Sequence, residues 1–172
     1  MGIEPLLDLE TRATVDDHEA LRLWLRLLSC TVRVENLVRG RLRKDFETTL
    51  PRFDLMAQLE RYPEGLRMSD LSKHLMVSGG NVTGITDQLE REGLVVRIPE
   101  RRDRRAVVVK LTSVGLKRFR AMAASHETWI IELFAGLNRD ERQVMFTLLR
   151  KLRTHLSELA TDTNSNRTGL SA

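Results

Sequence analysis

The chain is 172 residues long with 41% hydrophobic but only 5% aromatic residues, enough for one domain with an aliphatic, helix-rich core. Its 28 Lys and Arg against 24 Asp and Glu leave a net charge of +4, so the clustering of the cations says more than their sum. No apolar run approaches the roughly 20 residues of a membrane span, and residues 1–10 carry Glu4, Asp8 and Glu10 with no basic leader, which excludes a membrane class and gives a cytoplasmic expectation.

Residues 1–17 have no apolar periodicity and are read as a flexible arm. From 18 to 46, Leu21, Leu25, Leu28 and Val32 recur at helical spacing and Leu42 and Phe46 rejoin the stripe, while Trp24, Leu27, Val34 and Val38 widen it. A long helix with that much apolar surface is expected to pair with a second copy of the chain. The single Cys30 excludes an intrachain disulfide. Set in the apolar run L-L-S-C-T-V, it reads as a packed, inert thiol, with redox sensing as the alternative. Arg39, Arg41, Arg43 and Lys44 then crowd the end of this helix, and Pro51 starts the next. They fit exposed helix charges, contacts to DNA phosphates, or an anionic ligand equally well.

Two short helices follow. Ser69 is placed to cap the first, ahead of Leu71 and Leu75, and Ser78 to cap the second, in which Val82, Ile85 and Leu89 form a buried stripe. Gly93 supplies a left-handed stop. The small and amide residues Ser78, Gly79, Gly80, Asn81 and Thr83 at the start of the second helix allow close approach to base edges, and Asn81 suits adenine in a major groove; a solvated helix face has the same appearance. Residues 94–98 and 106–111 are β-branched runs, and Pro99 to Arg105 between them is too charged for a core. In that loop Arg101, Arg102, Arg104 and Arg105 face only Glu100 and Asp103, which points to an anionic surface such as a DNA minor groove, with Asp103 as a brace for the loop; a solvated charged turn is the plain alternative.

After the hairpin, Thr112 caps a helix carrying Phe119, Met122, Trp129, Ile130, Leu133 and Phe134, which Gly136 breaks. Asn138 with Glu141 forms a capping-box pattern for a last helix in which Val144, Leu148, Leu152 and Leu159 repeat with Leu149 and Leu156 beside them. His155 on that helix reads as a structural histidine. From 161 the tail is aperiodic and expected to be disordered. The four histidines are scattered, no cysteine pair or H-E-x-x-H occurs, and no catalytic constellation can be assembled, so neither a metal, a cofactor nor an enzyme is expected.

The pattern R-x-P-x-x-x-D-x-R at Arg97, Pro99, Asp103 and Arg105, running into A-V-V-V-K-L-T and Gly115, resembles the wing of the multiple-antibiotic-resistance regulator (MarR) family, and L-E-R-E-G-L-V resembles the end of its recognition helix. The resemblance covers about residues 19–159. It implies a mainly α, dimeric winged helix-turn-helix with a small β-wing. The dimerisation helices would be about 18–46 and 113–160 and the DNA-binding lobe about 51–112, with residues 78–92 as recognition helix and Arg105 as wing arginine. It implies double-stranded DNA with an inverted-repeat operator as partner. The stretch around Arg39 to Leu59, with L-M-V-S-G-G-N-V-T-G, is further similar to regulators answering to hydroxycinnamoyl-CoA thioesters. Such an effector would seat its aryl group among Trp24, Leu28, Phe53 or Met56 and its phosphates on Arg39, Arg41 or Arg43. The function implied is a repressor of aromatic catabolism genes, released from its operator by that ligand. A redox-sensing regulator and a sequence-indifferent architectural DNA binder are the alternatives.

Overall fold

The computed structural model describes residues 19–75, 79–100 and 106–168. Along them run α1 (Glu19–Phe46), α2 (Leu50–Arg61), β1 (Leu66–Arg67), α3 (Met68–Leu75), α4 (Gly79–Arg91), β2 (Val95–Pro99), β3 (Val107–Leu111), α5 (Ser113–Leu133) and α6 (Arg139–Thr168). The architecture is mainly helical with a small antiparallel sheet, a winged helix-turn-helix as the sequence implied. Two compact units result, one ending at Trp129 and one starting at Ile130.

In the first unit, Leu42 of α1, Leu55 and Leu59 of α2, Leu71 of α3, Val82 and Leu89 of α4, and Val109 of β3 are closed to solvent. The expected stripe of α4 is therefore the one that is buried. Thr86 joins it unforeseen, and its hydroxyl donates to the Val82 carbonyl at 2.8 Å, so the buried oxygen is satisfied within its own helix. α1 ends without a glycine. Glu47 takes a left-handed φ of 52°, the N–H groups of Glu47 and Thr48 donate back to Arg43 and Leu42, and Arg118 of α5 donates to the Phe46 carbonyl.

The sheet order is β1-β3-β2, with Leu66 opposite Val109 and Val95 opposite Leu111. β1 was not expected, since two residues are too short to carry an alternating pattern. It leads straight into α3 at Met68, so Ser69 lies in the first turn rather than at the cap. Pro99 closes β2, an edge strand, where its missing N–H leaves no ladder bond unmade.

The exit from α4 is tightly specified. Gly93 adopts φ 69°, Leu94 N–H donates to Leu89, and the Thr112 hydroxyl donates to Gly93 O at 2.7 Å. The same hydroxyl accepts from Gly115 N–H at 2.9 Å, the cap expected of Thr112. Gly115 is buried against this turn, so closely that a Cβ there would lie 1.9 Å from the Leu94 oxygen.

In the second unit, Asn138 and Glu141 form the expected reciprocal box, with N–H to carboxylate 2.7 Å and N–H to amide oxygen 2.9 Å. α6 continues as helix to Thr168, where the sequence had suggested an irregular tail from 161. An established helix propagates at one hydrogen bond per added residue, and no Gly or Pro interrupts it before Gly169. Val144, Leu148, Leu152, Leu156 and Leu159 are all exposed in the single chain, as are Leu21, Leu23 and Trp24 of α1. Cys30 is exposed too, against the expectation of a packed thiol: the buried position of that turn is taken by Ser29.

Candidate nucleic-acid interface

α4 turns Val82, Ile85, Thr86 and Leu89 inward and leaves Asn81, Thr83, Gly84, Asp87, Gln88 and Arg91 exposed. Ser78 lies outside the described residues, while Gly79 and Gly80 open the helix. At Gly84 a Cβ would meet nothing within 4 Å, so the middle of the exposed face is open on the protein side. Small residues at the centre and amides at the edges make a surface into which a base-pair edge can settle.

Arginines hold both flanks of this helix. On one side Arg97 of β2 donates to Asp87 Oδ1 at 2.5 Å and to Glu90 Oε2, and its backbone N–H donates to Glu90 Oε1 at 3.1 Å. Burial opposes the Arg97 charge, but the hydrogen bonds and negative charge of Asp87 and Glu90 prevail and raise its pKa above the usual value. On the other side Arg52, in the first turn of α2, pairs with Glu92 just past the helix end. The acids of α4 are thus partnered by neighbouring elements. A third arginine acts at the root of the hairpin, where Arg67 of β1 binds Glu100 through Nε at 2.8 Å and Nη2 at 2.5 Å. Of the two acids the sequence set among the loop arginines, Glu100 is therefore committed to β1. Arg101, Arg102, Arg104 and Arg105, with the proposed brace Asp103, lie outside the described residues.

Beside the Asn81 edge of α4 opens a cleft of about 550 Å³. Arg39, Gly40 and Arg43 of α1, residues 48–52 at the start of α2, and Asn81, Ile85 and Gln88 of α4 line it. Arg39 is paired with Glu35 at 3.2 Å. Half-buried Asp54 lies close by on α2; burial raises its pKa above the usual carboxylate value, with Arg39 opposing and Glu35 adding to the rise. The buried Nε of Arg52 has no hydrogen-bond partner among the described residues.

The residues suggested for an effector are only partly brought together. Arg39 and Arg43 share the cleft, whereas the Arg41 guanidinium sits 6.0 Å from the Trp129 ring. Phe53 is buried with Phe119 and His126 at ring separations of 5.5 and 5.0 Å, and Met56 is closed to solvent. Trp24 is 54% exposed near the start of α1, and Leu28 is half-buried. Apart from Arg39 and Arg43, none of these side chains lines the cleft. Sequence reasoning missed Arg52, Thr48 and Gln88 as its walls, because only the fold of α1 against α2 and α4 assembles them.

A recognition helix locked to a β-hairpin, with a cationic loop in the sequence at its tip, defines a winged helix-turn-helix protein of the regulator type. The MarR family profile matches residues 48–107. A MarR family transcriptional regulator from Silicibacter pomeroyi is 31% identical, with TM-score 0.69, the match covering 84% of this chain and 99% of that one. The chain belongs to the MarR family. A mutant MarR from Escherichia coli, solved complexed with operator DNA, is 25% identical with TM-score 0.68 over 80% of this chain and 99% of that one. The HTH-type transcriptional regulator PapX of Escherichia coli is 33% identical over 94 residues, 55% of this chain. That match spans 57% of PapX, so the chain covers little more than half the length of the curated relatives it resembles first.

Proposed function

We propose that the chain acts as a homodimeric, ligand-responsive DNA-binding regulator. Two copies of α4 would enter successive major grooves of an inverted repeat, with half-sites about one helical turn apart, and the hairpins would reach the flanking minor grooves. The observation that carries this reading is the Arg97 tie: it fixes the hairpin beside the exposed face of α4, so one duplex can meet both. Asn81, Thr83 and Gln88 are the candidate base readers, and Gly79, Gly80 and Gly84 give the backbone room to approach. Arg101, Arg102, Arg104 and Arg105 would supply phosphate and minor-groove contacts. The operator-bound relative supports this docking by likeness of fold.

Dimerisation follows from the uncovered apolar stripes of α1 and α6. Leu152→Glu should convert the dimer to monomer in sedimentation and weaken operator binding. Arg105→Ala should abolish a specific gel shift while leaving the dimer intact, and wild-type operator affinity in that variant would refute the wing assignment. Equal affinity for random duplex at matched salt would instead indicate an architectural binder.

The effector class we assign is an aryl-CoA thioester of the hydroxycinnamate type, relieving repression of aromatic catabolism genes. A hundredfold loss of operator affinity requires about 2.7 kcal/mol of coupling, within the usual range for allostery. Coumaroyl-CoA or feruloyl-CoA should release operator at micromolar concentration; release by neither rejects this effector class. The exposure of Cys30 favours one second reading, a peroxide-responsive regulator, which Cys30→Ser retaining its peroxide response would eliminate.

A further inference from the structure

The outermost line of α4 is not the one that carries its amides. At about 3.6 residues per turn, Val82, Ile85, Thr86 and Leu89 define the buried direction, and Gly80, Gly84, Asp87 and Arg91 run along the side opposite to it. Asn81 and Gln88 fall on one flank of that line and Thr83 on the other. Two of its four positions have no side chain, and a Cβ at Gly84 meets nothing within 4 Å, so a groove can close on the helix until the short Asp87 side chain reaches its floor. Asp87 is also the acid of this region with an oxygen to spare. Glu90 places both carboxylate oxygens on Arg97 and Glu92 turns back to Arg52, whereas Asp87 engages Arg97 through Oδ1 alone, at 2.5 Å. No second partner reaches its Oδ2 among the described residues, and the side chain is 51% exposed. The Arg97 bond holds this carboxylate in position before any partner arrives. One turn further along the same line, Arg91 Nε donates to the Asp87 carbonyl at 3.3 Å, which leaves its terminal nitrogens outside any ion pair among the described residues.

A carboxylate facing a duplex is repelled by the phosphates, so a major groove accommodates it only against a hydrogen-bond donor. Base edges there offer two, the amino groups of cytosine and adenine. Adenine N7, an acceptor, lies beside its amino group and repels a carboxylate, while cytosine sets no acceptor there. We propose that Asp87 is a specificity-determining residue: its Oδ2 accepts from the N4 amino group of one cytosine in each half-site, and the Arg91 guanidinium donates to O6 and N7 of a guanine in the same or a neighbouring base pair. Thymine at that position turns an O4 acceptor toward the carboxylate, so rejection of T·A is as much a part of this contact as attraction to C·G. The inference rests on the DNA-binding reading above and adds to it the composition of the operator.

Full-length wild type and the Asp87→Asn variant each select duplexes from a random-sequence pool by repeated gel shift, and binding to the enriched sequence is then measured one base change at a time at fixed salt. Wild type should enrich an inverted repeat with cytosine at one matching position in both half-sites. Exchanging that C·G pair for T·A should weaken wild-type binding about tenfold or more. An asparagine keeps an oxygen for Arg97 and sets an amide beside it, so Asp87→Asn should lose this discrimination and favour adenine at the same position. A merely structural role for Asp87 moves affinity for every sequence alike and changes no base. Arg91→Ala should flatten the preference for guanine alone; a guanine preference left intact removes the second contact. A wild-type repeat without that cytosine, or an Asp87→Asn selection with wild-type base frequencies, overturns the assignment while sequence-specific binding stands. Enrichment of no sequence from the pool overturns it together with the sequence-specific reading. The wild-type arms decide the matter even where a variant fails to fold.

Discussion

Arg97 of the hairpin lies 2.5 Å from Asp87 of the recognition helix and engages Glu90 one turn further on with the same guanidinium. The first arginine of the wing pattern is therefore a strut, and the proposed contact to nucleic acid falls to the loop arginines that follow it in the sequence. Its planar fork spans two carboxylates on one helix face, a geometry a lysine cannot reproduce.

Arg97→Ala strands Asp87 and Glu90 beside one another. Unfolding in urea should show a loss of about 1.5–3 kcal/mol, the range for hydrogen bonds to charged groups. Arg97→Lys should recover only part of it. Operator affinity should fall further than stability accounts for, because the hairpin is no longer held to the helix. A variant with unchanged stability and unchanged operator affinity would remove the strut from the account.

Gly115→Ala places a methyl 1.9 Å from the Leu94 oxygen, and that contact is backbone, which has no rotamer to yield. Overpacking of this kind costs about 1–3 kcal/mol and occasionally more. Thermal melting should place this variant well below wild type. A melting temperature within error of wild type would mean that α5 and the Gly93–Leu94 turn separate freely.

Gly84→Leu makes the opposite case. The protein offers no obstacle to a side chain there, and replacing a helix-interior glycine gains about 0.5–1 kcal/mol. The variant should melt at or above the wild-type temperature yet lose operator binding, because the new side chain occupies the space assigned to the duplex. Retained binding would move the DNA face elsewhere on α4.

His126 gives a pH dependence. Burial against Phe53 and Trp129 holds its imidazole below the ordinary value of 6.5. The folded protein therefore takes up this proton less readily than the unfolded chain, so the stability is complete above the unfolded pKa and declines as pH falls through it toward the folded one. His126→Phe keeps a ring in the stack and removes the titration. Melting temperatures at about pH 7.5 and about pH 5.5 should differ less in the variant than in wild type. An equal drop in both would assign the acid sensitivity to other groups.

Much of this protein was legible in the chain because local physics decided it. The buried stripe of α4, the Gly93 stop, the Thr112 cap and the Asn138–Glu141 box each depend on residues within a turn or two of one another, and spacing alone reveals them. The β2–β3 pairing was legible because β-branched runs flank a loop too charged for a core. What the fold alone decided involves partners distant in sequence: Arg52 with Glu92, Arg67 with Glu100, and β1 with β3. Thr86 reads as polar until its neighbours enclose it, and Cys30 reads as apolar until Ser29 takes the inward position. The cleft belongs to the same class, since α1, α2 and α4 each contribute lining residues that only packing brings side by side. Local hydrogen bonding and periodicity are encoded residue by residue, whereas burial and long-range ion pairs are properties of the closed chain.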